Sequence, residues 1–85
     1  MQCGSGMMDF VNAGMMIGNV ITEKKIKSIV AIPNILNDSF MLSKELTPVI
    51  TVPVSQNNVQ IRLYSANNAF VESDTVNFYY IVMLQ

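Results

Sequence analysis

The 85 residues carry five Lys and Arg against six Asp and Glu, for a net charge of −1, which leaves no basic footprint for a phosphate backbone or an anionic membrane surface. A chain of this size buries only about 60% of its unfolded surface and is marginal alone, so a partner chain is expected. Charged residues make up 13% of the sequence, about half their usual share, and a surface built instead from Asn, Ser, Thr and Gln suits an extracellular or particle-bound setting.

Met1 stands ahead of "QCGSG", which reads as the interior of a longer chain, and the opening lacks the basic and long apolar regions of a secretory signal. Cys3, the one cysteine, allows no internal disulfide and is expected to be a small buried hydrophobe. "GSGMMDFV", residues 4–11, is a strand whose glycines and Met pair blur the period. "GMMIGNVIT", 14–22, is a second, with Gly18 marking a bulge or a close approach. "EKKIK", 23–27, forms a solvated turn that keeps an edge from pairing with another sheet. "IKSIVAIP", 26–33, is short, β-branched and stopped by Pro33-Asn34, which predicts a central strand.

In "NILNDSFMLSKELT", 34–47, Phe40, Met41 and Leu42 suit either one helical turn or a short strand in a long connection, and a strand and loop is the expectation. "TPVITVPVS", 47–55, puts Ile50, Val52 and Val54 on one face and Thr51 and Pro53 on the other; Pro48 and Pro53 cannot donate ladder hydrogen bonds, which predicts an edge. "VQIRLYS", 59–65, alternates Val59, Ile61 and Leu63 inward with Gln60, Arg62 and Tyr64 outward. "VNFYYIVML", 76–84, places Val76, Phe78, Tyr80, Val82 and Leu84 on one face. Its second face, Asn77, Tyr79, Ile81, Met83 and Gln85, is too apolar for open water and needs a cover, either neighbouring chains or the first strands of a two-layer monomer.

Turns are expected at residues 12–14, 37–39, 56–58 and 66–68, where Asn and Asp bond to their own main chain. About six short strands at this spacing predict a single all-β domain, 1–85, folded as a six-stranded antiparallel β-sandwich. Its longest apolar runs fall short of the roughly 20 residues of a membrane helix.

Catalysis finds few residues to work with. There is no histidine, so neither Ser-His-Asp nor Cys-His sets exist and the commonest general base is missing. "CGSGMMD" lacks the Lys-Ser or Lys-Thr of a phosphate loop. One thiol and scattered carboxylates make no zinc set. Glu72 and Asp74, two apart before the last strand, are an acid-base or calcium pair on one reading and a solvated loop on the favoured one. No enzyme activity, catalytic residue, metal or cofactor is expected.

Binding is better served. Asn67, Asn68, Phe70, Glu72 and Asp74 gather amides, carboxylates and a ring in one short loop, the mixture that sugar recognition uses, although any polar loop with one aromatic looks similar. Arg62 and Tyr64, outward on the preceding strand, extend that surface or sit at a subunit contact. Seven methionines are adaptable core filler that also fits burial between chains.

The order "QCG", two strands, "IKSIVAIPN" and a closing aromatic "VNFYYIVML" resembles the C-terminal domains of bacteriophage and prophage tail-fibre proteins over nearly the whole chain. Gln2-Cys3-Gly4 looks like their opening, Ala31-Ile32-Pro33-Asn34 like their strand end, and Phe78-Tyr79-Tyr80-Ile81 like their closing strand. The resemblance implies an H-type-lectin-like six-stranded sandwich, a homotrimer at the tip of a longer fibre on the virion, and recognition of host cell-surface carbohydrate. Residues 7–26 replace the usual Ser, Thr and Pro-rich hairpin and Tyr stands where Trp is common, so the lectin pocket does not carry over.

Two functions of different class follow. In one, a receptor-binding lectin module uses Arg62, Asn67, Asn68, Phe70, Glu72 and Asp74 on a glycan, with multivalency offsetting weak single-site affinity. In the other, a structural cap locks a fibre through Tyr64, Tyr79, Ile81 and Met83 and holds no ligand.

Overall fold

The computed structural model describes residues 1–35 and 43–85. Among the described residues six strands form, β1 (Gln2–Asn12), β2 (Met15–Ile21), β3 (Ile26–Pro33), β4 (Ile50–Ser55), β5 (Asn58–Tyr64) and β6 (Thr75–Leu84). They join one sheet in the order β3-β6-β1-β2-β5-β4, every neighbouring pair antiparallel. The sheet curls into a nearly closed, barrel-like shape. The two end strands approach where the Ile26 N–H donates to the Gln56 carbonyl at 2.8 Å.

Local chemistry sets the hairpins. Asn12 accepts the Gly14 N–H on its side-chain oxygen at 2.9 Å, an Asx turn that reverses β1 into β2. Gln56 and Asn57 form the turn between β4 and β5, and the Asn57 amide donates to the Thr22 carbonyl at 3.0 Å, tying that hairpin to the end of β2. β1 and β6 are the longest strands, and their register runs from Gln2 opposite Val82 to Asp9 opposite Thr75.

Alternation does the rest. Met8 from β1, Met16 and Val20 from β2, Val59, Ile61 and Leu63 from β5, and Val76, Phe78 and Val82 from β6 point inward and are buried. The Phe78 and Tyr80 rings lie in the same interior row, their centroids 6.2 Å apart.

Several expectations hold: the inward sets of β5 and β6, the edge position of β4, and the turns at 12–14, 56–58 and 66–68. Gly18 is a close approach, since a Cβ there would stand 2.7 Å from Phe78 Cε1, while the bulge between β1 and β2 falls at Phe10–Asn12. Three expectations change. β3 lies at one end of the strand order, paired to β6 alone among the named strands; its β-branched residues suggested burial on both faces, yet Ile29 and Ala31 are partly buried while Val30 and Ile32 are 65% and 59% exposed. Cys3 is exposed, because β1 presents its odd positions outward here. β1 lies beside β6 in the same sheet, so the first strands do not cover the second face of β6. The turn expected at 37–39 and the Phe40-Met41-Leu42 segment lie outside the described residues.

Candidate functional site

The segment 65–74 between β5 and β6 is folded inward and bonded to its surroundings. The Ser65 N–H donates to the Gly14 carbonyl and the Phe70 N–H to the Ala13 carbonyl, both at 3.0 Å, which fastens the segment to the β1–β2 turn. The Ala66 N–H donates to the Glu45 carbonyl at 2.9 Å. Lys44 and Asp74 are buried, and their Nζ and Oδ2 atoms are 3.0 Å apart. Lys44 also donates to the Ala69 carbonyl at 2.7 Å, and Asp74 accepts the Val71 N–H at 2.9 Å. This arrangement is a brace: a buried charge pair further tied to the backbone at Ala69 and Val71.

The proposed sugar contacts are distributed accordingly. Phe70 belongs to the core cluster and presents no ring face to solvent. Asp74 is committed to Lys44, which corrects its assignment as a surface ligand and separates it in role from exposed Glu72. Asn67 is exposed, but its amide nitrogen donates to the Ser43 carbonyl at 3.3 Å and its oxygen stands 2.7 Å from the Ser65 hydroxyl. Asn68 adopts a φ of 53°, a left-handed conformation that asparagine tolerates. Of the five loop residues, Asn68 and Glu72 are exposed with no side-chain partner among the described residues. Arg62 is tied along its own strand, its Nε donating to Gln60 at 2.6 Å and its Nη1 to the Tyr64 hydroxyl at 3.5 Å.

The four residues expected at a subunit contact divide between two faces. Tyr79, Ile81 and Met83 project outward from β6 and are 49%, 47% and 43% exposed. The register sets Ile81 between Val30 of β3 and Cys3 of β1, and Tyr79 between Ile32 and Ser5. Three adjacent strands thus present one continuous apolar face, which extends to exposed Met7. A dent of about 260 Å³ opens on it among Cys3, Val30, Ile32, Tyr79 and Ile81. Asn34 donates to the Tyr79 hydroxyl at 3.3 Å, holding the ring over the end of β3. Tyr64 lies elsewhere, opposite Met15 on the β2–β5 side of the sheet.

Sequence reasoning found Tyr79, Ile81 and Met83 through strand alternation but missed Val30 and Ile32, whose own alternation in "SIVAIP" was the available signal. A cleft of about 670 Å³ runs along the seam between β3 and β4, with Ile26, Ile29, Pro53 and Val59 among its lining residues. Among the described residues no group of three or more Cys, Asp or Glu side chains stands close enough to hold a metal, and no helix is long and apolar enough to cross a membrane.

No protein family, curated protein or solved structure matches this chain.

Proposed function

We propose that this domain is a non-catalytic association module, which works by burying its β3–β6–β1 outer face against further copies of the chain. The observation that carries this reading is the face itself: Val30, Ile32, Tyr79, Ile81 and Met83 contiguous and all at least 43% exposed, where monomeric proteins rarely leave apolar patches beyond a few hundred Å² uncovered. A central aromatic ring beside a dent is the form that binding hot spots take. The structural-cap role at the tip of a phage or prophage fibre, with the trimeric, H-type-lectin-like arrangement that the sequence resemblance implies, suits such a face. Glycan recognition by segment 65–74 has less support, since Phe70 and Asp74 serve the interior.

Replacing Tyr79 or Ile81 with Asp is expected to convert assembled chain into folded monomer, because each would bury an unpaired carboxylate at the contact. Light scattering with a circular-dichroism control reads both properties. Assembly unchanged in both variants would refute the reading. Under the cap role, Asn68→Ala combined with Glu72→Ala leaves assembly and adhesion to host cells as they were; loss of adhesion with assembly intact would reinstate the glycan role.

A further inference from the structure

The outer face of β2, β5 and β4 is a second, chemically different surface. Arg62 stands at its centre, flanked in register by Ile17 of β2 and Ile50 of β4, with Gln60 between Asn19 and Val52 one step along. Ile50 is 47% exposed and Val54, beyond it, 58%. Among the described residues no carboxylate pairs with Arg62. Gln60 and Tyr64 tie the half-buried guanidinium along its own strand through two of its five N–H groups, with Ile17 and Ile50 on either side in register.

We propose that this face is the partner of the β3–β6–β1 face on the next copy of the chain, with the Arg62 guanidinium seated over the Tyr79 ring. The proposal rests on the self-association reading above and specifies its geometry as heterologous, one face against the other. Several observations favour it. Among the described residues Arg62 is a cation with no carboxylate beside it, and the opposite face offers an aromatic ring and hydroxyl, the group that attracts a desolvated guanidinium. A two-fold contact through the Arg62 face would set like charges against each other, and one through the Tyr79 face would leave Ile50 and Val54 in water. A heterologous contact covers both faces and closes into a ring or extends as a filament according to the rotation between copies. The face is broad: Met7, Val30, Ile32, Tyr79, Ile81 and Met83 are each between 43% and 65% exposed across three adjacent strands. With a net charge of −1, the copies repel one another little.

The test is complementation between two variants, Ile81→Asp on one face and Ile50→Asp on the other, with Val54→Asp as a second variant of the latter face. Each alone is expected to sediment as a folded monomer. Mixed in equal amounts they are expected to form a 1:1 dimer of twice the monomer mass, because each retains the face that the other lacks. Arg62→Gln should weaken that dimer roughly tenfold, the value of a well-placed cation–π contact. If Ile50→Asp and Val54→Asp assemble like the unmodified chain, or if the mixture stays monomeric while the unmodified chain assembles, the heterologous geometry is overturned and the association reading stands. An unmodified chain that is itself monomeric would overturn the association reading as well.

Discussion

Asp74→Ala is expected to lower folding stability by about 3–5 kcal/mol, the usual result of removing one partner of a buried ion pair. Against a total of roughly 5–15 kcal/mol for a domain, such a loss is a large fraction of the whole. The buried Lys44 ammonium would lose the carboxylate 3.0 Å away, and the Val71 N–H would lose the acceptor it has at 2.9 Å. Both losses fall on segment 65–74, which carries Phe70 into the core. The double variant Lys44→Met with Asp74→Leu should cost less than the sum of the two single changes, because neither charge is then stranded. Denaturant unfolding of the four proteins measures this directly, and strictly additive costs would refute the brace.

Phe78→Ala is expected to be comparably damaging, about 3–5 kcal/mol, through the cavity it opens. Phe78 is completely buried, and its ring fills the space that Gly6 on β1 and Gly18 on β2 leave. A Cβ on Gly6 would stand 2.6 Å from Phe78 Cζ, and one on Gly18 would stand 2.7 Å from Phe78 Cε1 and 2.8 Å from the Met7 carbonyl oxygen. Backbone on those sides cannot collapse into the void. Gly6→Ala and Gly18→Ala should each destabilise the unmodified protein by about 1–3 kcal/mol through overpacking, but they separate when the ring is reduced by Phe78→Leu. The cost of Gly6→Ala should then shrink, because its close neighbours are all ring atoms, whereas Gly18→Ala should keep most of its cost against the Met7 backbone. Thermal melts of the paired variants decide it; equal behaviour of the two glycines would contradict the packing described.

Much of the fold was legible because β5 and β6 alternate without interruption: "VQIRLY" and "VNFYYIVML" divide into inner and outer rows by position alone. Asn12, Asn57 and Asn67 marked turns through their side-chain chemistry. β3 misled for a physical reason, since Ile, Val and Ala at consecutive positions carry no polar residue to mark the outer face, and an outer face this apolar looks like core in the sequence. Cys3 misled for a related reason: outward on β1, it belongs to the same apolar surface.

The candidate site was legible only on its apolar side. Nothing in "SANNAFVESD" distinguishes a ring offered to a ligand from one turned into the core, nor an exposed carboxylate from one paired with a lysine thirty positions away. That pairing depends on how segment 65–74 folds back against residues 43–47. Arg62 posed the opposite difficulty. Its outward position followed from alternation, but its apolar frame came from Ile17 and Ile50 on strands that only the topology brings alongside.

The association of copies through the β3–β6–β1 face is tested most directly by the solution mass of the unmodified chain, followed by light scattering across a dilution series. A defined multiple of 9.5 kDa that dissociates only on strong dilution is the predicted result. A mass of 9.5 kDa at every concentration, with the β-sheet spectrum intact, would contradict it.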